Sequence, residues 1–235
     1  MRFDIITVFP QIIEAYLNES IIKRARERGL LDVRVHNLRD FTEDKHHKVD
    51  DRPFGGGPGM VLQLTPIIRA IEHITKNQTR KKKQAGIMNY ELRIKDTLIV
   101  LLSAGGKQFD SKQAIRFSKK YKQIILIAGR YEGVDSRLKS IIHNSGFLIH
   151  EISVGNFVLT GGELPALVVL DAVSRHIPGV LGKEESLEEK RYGVGVPVYT
   201  RPEVFEYKGK KYKIPRVLKS GDHKKIEEWR KKKHG

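Results

Sequence analysis

The segment TLIVLLSAGGKQFDSKQAIRFSKKYKQIILIAGRYEG, Thr97–Gly133, decides the fold of this chain. Its first part, Thr97–Ser103, is an apolar run typical of a buried strand, and a loop at Gly105 and Gly106 follows it. Asp110 is then placed to cap a helix, and a second apolar run occupies Gln123–Ala128. Two such runs separated by a helix predict two parallel strands of one sheet.

The same alternation of strands and helices continues on both sides of this segment. The further elements that we predict are strands at Phe3–Phe9, Leu31–Leu38 and Phe147–Ser153, and helices at Gln11–Arg28, Thr65 to about Lys76, Ser136–His143 and Glu163–His176. This order predicts an α/β fold with a mainly parallel sheet. Ligands of such sheets bind beyond the carboxyl ends of the strands.

The composition favours a polyanionic partner. The 235 residues include 44 Lys and Arg against 28 Asp and Glu, a net charge of +16. We therefore expect nucleic acid as the partner, ahead of an anionic membrane surface. The most apolar stretch, Leu164–Leu170, is too short to span a bilayer. The first residues, MRFDIITVFP, are interrupted by Asp4 and do not resemble a secretory signal, so we expect a cytoplasmic protein.

The chain contains no cysteine. Disulfides, thiolate metal sites and cysteine nucleophiles are therefore excluded. His46 and His47 lie near Asp50 and Asp51, but adjacent side chains on an extended chain point apart, so a polar loop is a better interpretation than a metal site.

Three loops are predicted at the carboxyl ends of the strands, with the sequences SAGG, GRYEGVD and VGNFVLTGGELPA. The third matches neither of the common phosphate-binding glycine patterns. In the second, Arg130, Glu132 and Asp135 follow a strand directly. Their spacing is equally compatible with a polar turn and with a binding loop, in which arginine offers a rigid cationic fork.

A fourth glycine-rich sequence, DDRPFGGGPGM, lies in the long polar loop 40–60. It is neither preceded by a strand nor followed by a helix, so it does not match a dinucleotide-binding turn. It is interpreted either as a flexible loop or as a backbone surface that a nucleotide can approach closely, since glycine has no Cβ.

The helix that begins at Glu163 is apolar on nearly all sides through Leu170. This pattern predicts burial on more than one side, and therefore an interface as well as a core contact. Asp171 and Arg175 are four residues apart, which is compatible with an ion pair on one helix or with Arg175 projecting into a site.

Together, DDRPFGGGPGM, GRYEGVD, VGNFVLTGGELPA, VSRHIPGVLG and YTRPEV resemble the bacterial tRNA (guanine-N1)-methyltransferases of the SPOUT superfamily. The resemblance implies a methyltransferase domain at 1–182 whose C-terminal part forms a deep trefoil knot, a small mostly helical tRNA-binding domain at 199–235, and a homodimer with a composite active site. The composition of residues 77–96 predicts a basic surface insertion, and that of residues 183–198 a linker between the domains.

The reaction implied by the resemblance is methyl transfer from S-adenosyl-L-methionine to N1 of guanine 37 of tRNA, with a preference for a preceding guanine. The residues implied to bind the methyl donor are Leu102, Ser103, Gly105, Gly129, Arg130, Glu132, Ser153, Val154, Gly155, Phe157, Leu159, Gly161 and Gly162. Those implied to bind the tRNA are Arg52, Gly55, Gly56, Gly57, Gly59 and Arg201.

Two residues are expected to act in catalysis. Guanine N1 carries a proton at neutral pH, so a carboxylate base should remove it while a fixed cation stabilises negative charge at O6. The resemblance assigns the cation to Arg175. The family has an aspartate base in a segment that here reads KEESLEEKRYGVGVPVYTRP and contains no aspartate. Glu189 is the favoured replacement, with Glu188 and Glu185 as alternatives.

The family's acidic and histidine positions just before YTRP are also replaced, by Gly195 and Val198. No metal site formed by protein side chains is expected. Mg²⁺ is a further candidate cofactor, beside the methyl donor. Two other functions stay open at this point. One is a SPOUT methyltransferase acting on a ribose 2′-hydroxyl or on ribosomal RNA, and the other is an RNA-binding module without catalysis.

Overall fold

A computed structural model of the chain describes residues 1–83, 95–182, 187 and 195–232. The chain divides into two compact units, Met1–Val180 and Leu181–Gly235. The first unit contains a five-stranded sheet in which every neighbouring pair is parallel, in the order β2-β1-β6-β5-β7. The predicted α/β fold with a mainly parallel sheet is confirmed.

The strands and helices have the following bounds. The strands of the first unit are β1 (Arg2–Thr7), β2 (Asp32–Asn37), β3 (Asp50–Asp51), β4 (Val61–Leu62), β5 (Thr97–Gln108), β6 (Gln123–Ala128) and β7 (Leu148–Ser153). Its α-helices are α1 (Pro10–Leu17), α2 (Ser20–Glu27), α3 (Leu64–Lys83), α4 (Ser111–Lys120), α5 (Arg137–Asn144) and α6 (Glu163–Ser174). The second unit contains β8 (Val204–Tyr207), β9 (Lys210–Lys213) and α7 (His223–Lys232).

Both faces of the sheet are covered by helices. Along β5, Leu98, Val100 and Leu102 pack into a core with α1, α2, α4 and α6. The alternate residues Ile99 and Leu101 pack into a second core with α3 and α5. Burial on both faces explains the continuous apolar runs Leu98–Leu102 of β5 and Ile124–Ala128 of β6, which lack the alternation of a half-exposed strand.

The helix predicted at Gln11–Arg28 is two helices. Helix α1 ends at Leu17 and buries Ile13 and Leu17, whereas α2 begins at Ser20 and buries Ile22 and Ala25. The interval of five residues between Leu17 and Ile22 would rotate the apolar face of one continuous helix away from the sheet. The break between the two helices keeps both faces buried.

Two other predicted boundaries were wrong. Helix α3 continues to Lys83 instead of ending near Lys76, so the first residues of the predicted insertion 77–96 belong to it, and 84–94 lie outside the described residues. Strand β5 continues past the predicted loop at Gly105 and Gly106, because its pairing with β7 resumes at Lys107 after a bulge. A Cβ at Gly106 would lie 2.6 Å from the backbone nitrogen of Ile152, so glycine permits this close approach.

The second unit contains a hairpin that was not predicted from the sequence. Strands β8 and β9 pair antiparallel, and a 3-10 turn at Arg216–Lys219 precedes α7. The rings of Tyr199 and Trp229 lie 6.2 Å apart. Within the described residues of the whole chain, no helix is both long enough and apolar enough to cross a membrane.

Candidate functional site

A cavity of about 400 Å³ lies at the carboxyl ends of β5, β6 and β7. All three loops predicted at this edge contribute to its wall. The residues expected to bind the methyl donor that line it are Leu102, Ser103, Gly105, Gly129, Arg130, Glu132, Ser153, Val154, Phe157, Leu159, Gly161 and Gly162. Gly155 is not among the lining residues. It lies under the ring of Phe157, where a Cβ would collide.

The loop between β7 and α6 returns across the sheet to the end of β6. The amide of Gly162 donates a hydrogen bond to the carbonyl oxygen of Gly129, at 2.7 Å. A Cβ at Gly162 would lie 2.6 Å from the amide nitrogen of Gly129 and 2.7 Å from Cα of Ala128. Any side chain at position 162 would therefore push this loop off β6.

Arg130 fastens the same loop to the rest of the site. Its Nη1 donates to the carbonyl oxygen of Thr160, at 3.0 Å. Its guanidinium carbon lies 4.5 Å from the centre of the Phe9 ring, in a cation–π contact. These contacts leave Arg130 mostly buried in the wall of the cavity.

Glu163 provides the charge that neutralises Arg130. Its Oε2 lies 2.9 Å from Nε of Arg130, and its Oε1 accepts a hydrogen bond of 2.7 Å from the Thr7 hydroxyl. Among the described residues neither Oε2 of Glu163 nor Nε of Arg130 has an aligned hydrogen-bond partner, although both are buried. As the first residue of α6, Glu163 also interacts favourably with the helix dipole.

The glycine loop 55–59 lies beside the cavity. The amide of Glu132 donates to the carbonyl oxygen of Met60, at 3.0 Å, and a Cβ at Gly59 would collide with the Glu132 carboxylate. Gly55, Gly56, Gly57 and Gly59 all have positive φ, which L side chains rarely adopt. Gly59, which is expected to bind tRNA, is therefore placed next to Glu132, which is expected to bind the donor.

The two remaining residues expected to bind tRNA have different positions. Arg52 is exposed and precedes the glycine loop. Its amide donates to the side chain of Asp51, at 2.8 Å. Arg201 belongs to the second unit, where it is exposed.

Glu151 lines the cavity and was not predicted as a site residue. Its Oε2 accepts a hydrogen bond of 2.7 Å from Nζ of Lys139. That bond, with a contribution from the Ser103 hydroxyl, holds the pKa of Glu151 below its usual range although burial opposes this. The alternation of side chains along the strand could have identified Glu151 as a site residue. It is two residues before Ser153 and therefore lies on the same face of the sheet.

Asp135 acts as part of a polar turn. Its carboxylate accepts hydrogen bonds from the Arg137 side chain, at 2.6 Å for the closest pair, and from the Arg137 amide at 3.0 Å. The bonds to Arg137 lower the pKa of Asp135. Of the three polar residues of GRYEGVD, the structure brings only Arg130 and Glu132 to the cavity wall.

His46 also belongs to a polar turn, in which its amide donates to the Asp44 carboxylate at 3.0 Å. Across residues 1–83, 95–182, 187 and 195–232, no group of three or more His, Asp or Glu side chains could hold a metal ion.

Arg175 lies at the opposite end of α6 from the cavity. It is the residue that caps the carboxyl end of this twelve-residue helix, which places it about 18 Å along the axis from Glu163. It does not line the cavity. Within one chain, the residue expected to stabilise the transition state is therefore far from the residues expected to hold the donor.

The three candidate bases, Glu185, Glu188 and Glu189, lie outside the described residues.

Near Arg175, Asp171 accepts a hydrogen bond of 2.5 Å from the Tyr16 hydroxyl. Burial, together with this bond to a carboxylate, raises the pKa of Tyr16 to about 12. The hydroxyl therefore stays protonated at neutral pH and links α1 to α6.

The cavity has the size and chemistry that a nucleoside sulfonium needs. Its volume lies within the usual range for small-molecule sites, about 300–1,000 Å³. Leu102, Leu159 and Pro165 supply apolar surface, and Glu132 supplies a carboxylate for a cationic group. Glycines at 129, 161 and 162 leave backbone amides and carbonyls close to the cavity. The residues present fit S-adenosyl-L-methionine.

Comparison with known proteins gives one consistent family. The model of the family "tRNA (Guanine-1)-methyltransferase TrmD" matches residues 1–235. A tRNA (guanine-N(1)-)-methyltransferase of Dictyoglomus turgidum is 45% identical over 235 residues, covering 99% of this chain and 84% of the relative. The enzyme of the same name from Clostridioides difficile is 45% identical over 233 residues, covering 98% and 90%. That of Persephonella marina is 44% identical over 234 residues, covering 98% and 82%.

Proposed function

This chain belongs to the tRNA (Guanine-1)-methyltransferase family, and we propose that it methylates N1 of the guanine at position 37 of tRNA, preferring a preceding guanine. Its reaction class is methyl transfer to N1 of a guanine in tRNA, with S-adenosyl-L-methionine as donor. The observation that carries the proposal is the cavity at the carboxyl edge of the sheet, with the glycine loop 55–59 placed beside it.

The donor supplies a methyl group bound to a positively charged sulfur, which makes that methyl electrophilic. In the proposal, Leu102, Leu159 and Pro165 hold the apolar parts of the donor and Glu132 holds its cationic part. Arg130 and Glu163 position the loop that closes over it. Holding the two reacting atoms close together contributes much of the rate enhancement in such reactions.

Catalysis then requires a base for the N1 proton and a cation for the charge that develops at O6. We assign the base to Glu189, with Glu188 and Glu185 as alternatives, because this segment carries glutamates where the family has an aspartate. Replacing each glutamate singly by glutamine distinguishes the three. The variant without its base should lose kcat by about 100-fold or more while donor affinity is retained.

Arg175 is assigned to the O6 charge, and its distance from the cavity in one chain supports a composite site in a homodimer. Leu164, Val168, Asp171 and Arg175 follow one another at intervals of four, three and four residues, so they share one face of α6. Leu164 and Val168 are about half exposed, and Ile12 and Tyr16 of α1 add further exposed apolar surface. We propose that a second copy covers this surface.

Symmetry explains how such a dimer would complete the site. In a two-fold dimer each α6 packs on its counterpart through the same face, and an antiparallel arrangement brings the carboxyl end of one helix to the amino end of the other. Arg175 of one protomer would then lie near the cavity of its partner. The proposed site therefore takes its donor cavity from one chain and its arginine from the other.

Complementation tests this arrangement directly. Arg175→Ala should lose activity with donor affinity unchanged, and Leu159→Trp, which fills the cavity, should lose donor binding. Mixed dimers of the two variants contain one intact composite site, so activity should return. A site contained in one chain predicts no recovery in the mixture.

The knot, the second unit and the compartment complete the proposal. Passage of residues 154–162 back to the end of β6, with the Gly162–Gly129 hydrogen bond, supports a knotted donor site. The second unit, with twelve Lys and Arg against five Asp and Glu in residues 195–232, is proposed to bind tRNA. The protein would act in the cytoplasm with its tRNA substrate.

A Mg²⁺ requirement is tested by titrating Mg²⁺ against a chelator in the methylation assay.

Primer extension on an unmodified tRNA transcript tests the activity itself. Incubation with protein and donor should produce a stop at position 37 only when guanine is present there, and digestion should yield 1-methylguanosine. A protein that binds the donor but modifies a ribose or another RNA would contradict the proposed substrate.

A further inference from the structure

The hairpin of the second unit carries three aromatic side chains on one face. Phe205 pairs directly with Tyr212, and the next pair in register on that face is Tyr207 with Lys210. Side chains alternate along a strand, so these four residues share a face. The opposite face carries Val204, Glu206, Lys211 and Lys213.

This aromatic face is open to solvent. Phe205, Tyr207 and Tyr212 are 56%, 54% and 55% exposed. An exposed cluster of large apolar side chains is a recognised mark of an interaction site, because burial of such rings is normally favourable. The hairpin therefore presents a surface suited to flat ligands.

The charge of the hairpin indicates which ligand. It contains Lys208, Lys210, Lys211 and Lys213 against one acidic residue, Glu206. Nζ of Lys208 lies 5.4 Å from the centre of the Tyr207 ring, which places a cation beside the aromatic face. Aromatic rings interleaved with lysines are the combination by which proteins bind unpaired nucleotides, with rings stacking on bases and lysines contacting phosphates.

We propose that the face formed by Phe205, Tyr207, Lys210 and Tyr212 binds unpaired nucleotides of the tRNA by stacking. The choice of tRNA as the RNA rests on the proposed function. A second copy of the chain is a poorer occupant, since it would bring the same lysines against each other. The tRNA backbone instead neutralises them.

Direct binding of an unmodified tRNA transcript to the full-length protein tests the stacking. Tyr207→Leu and Tyr212→Leu should each raise Kd by about tenfold, because each removes one base-stacking ring. Tyr207→Phe keeps the ring and should bind as the unmodified protein does. Equal binding by Tyr207→Leu and Tyr207→Phe would overturn the proposal.

Lys210 and Lys211 form a matched pair for the phosphate contact. They are adjacent and equally charged but lie on opposite faces of the hairpin. Lys210→Ala should reduce the slope of log Kd against log salt by about one, and Lys211→Ala should leave it nearly unchanged. Equal slopes for the two variants would contradict the proposal that RNA binds specifically to the aromatic face of the hairpin.

Two further measurements separate this proposal from its alternatives. In the methylation assay the leucine variants should raise KM for tRNA with kcat unchanged, and sedimentation should show an unaltered mass. A changed mass would assign the face to a second copy and overturn RNA binding. Failure of the proposed function would appear differently, as absence of methyl transfer by the unmodified protein.

Cross-linking needs no substitution, so it remains decisive if a leucine variant fails to fold. Ultraviolet irradiation of the unmodified protein bound to 5-bromouridine-substituted tRNA should attach RNA to the peptide containing Phe205, Tyr207 or Tyr212. Cross-links confined to the first unit would overturn the proposal.

Discussion

Two buried carboxylates, Asp4 within β1 and Glu163 beside its last residue, have different surroundings. Asp4, near the amino end, accepts hydrogen bonds from Arg2 at 2.7 Å and from Gln123 at 2.7 Å, and it lies 2.8 Å from Nε2 of His36. Burial by itself raises the pKa of Asp4, but the bonds with His36, Arg2 and Gln123 together lower it. Both of its oxygens are fully used.

Glu163, at the carboxyl end, is equally buried but less completely satisfied. One oxygen is bonded to Thr7, whereas the other faces Arg130 without an aligned hydrogen bond. This carboxylate lies behind the wall of the cavity, whereas Asp4 is the third of the six residues of β1 and does not line the cavity. Of these two carboxylates, the one away from the cavity is therefore fully hydrogen-bonded, and the one beside the region where ligands of parallel sheets bind is not.

The largest expected effect is at Asp4. Asp4→Ala should lower the free energy of unfolding by about 4 kcal/mol, because it leaves the Arg2 guanidinium partly buried without its partner. Donor affinity of the folded variant should not change. Denaturant unfolding and calorimetric titration measure the two quantities.

The matched control for this variant is Asp32→Ala. Asp32 also bonds an arginine, Arg34, but both side chains are about half exposed, so no measurable loss of stability is expected. Weaker donor binding by Asp4→Ala would contradict the expectation that Asp4 acts on stability alone and does not affect the donor cavity.

The next effect is at Gly162. Gly162→Ala should lower stability by about 3 kcal/mol, since its Cβ meets rigid backbone of Gly129 and Ala128. It should also weaken donor binding, because the displaced loop forms the cavity wall. Gly182→Ala is the control, as a Cβ there meets nothing within 4 Å. Unaltered donor affinity in Gly162→Ala would show that the loop does not position the donor.

A smaller effect on stability is expected from Glu163→Gln. The amide keeps a partner for Thr7 but removes the charge opposite Arg130, so the loss should be about 1–2 kcal/mol. Donor affinity should fall by about tenfold, since the loop that Arg130 holds becomes less preorganised. Thr7→Val, which removes only the hydroxyl, is the comparison. If the Glu163→Gln protein binds the donor normally, the Arg130–Glu163 ion pair contributes only to stability, as Asp4 does.

The smallest effect is the acid dependence of the Asp4 contribution. Because the pKa of Asp4 is lower in the folded chain than its unfolded value of about 3.9, its contribution to stability is complete above that value and is lost as pH falls through the folded pKa. The difference in unfolding free energy between the unmodified protein and Asp4→Asn should therefore shrink below about pH 4. A difference independent of pH would show that charge at Asp4 contributes nothing.

The main elements of the fold could be predicted because their signals are local. The apolar runs that became β5 and β6 are bounded by turn residues, and Asp110 caps α4 as expected, accepting from the amide of Gln113 at 2.7 Å. The grouping of the three loops also followed from general rules, since parallel strands share one carboxyl edge. The break before Ser20 was missed although Asn18 and Ser20 both favour helix ends over helix interiors.

The candidate site was predicted less completely, because its key contacts join distant parts of the chain. Thr7 and Glu163 are 156 residues apart, and no periodicity relates them. Glu151 is a strand residue whose partner, Lys139, lies on a preceding helix. The aromatic face of the second unit was hidden for the same reason, since it depends on the register of β8 with β9.

By itself, the sequence determined the α/β class, the family and the loops that meet at the carboxyl edge, because these follow from apolar periods and from motifs that are each contiguous in the chain. Only the tertiary structure decided which polar groups of those loops face the cavity, that Arg130 is tied to Glu163, and that Arg175 lies at the far end of α6. The physical reason is that hydrogen bonds and ion pairs act over a few ångströms in space, and distance along the chain does not fix distance in space.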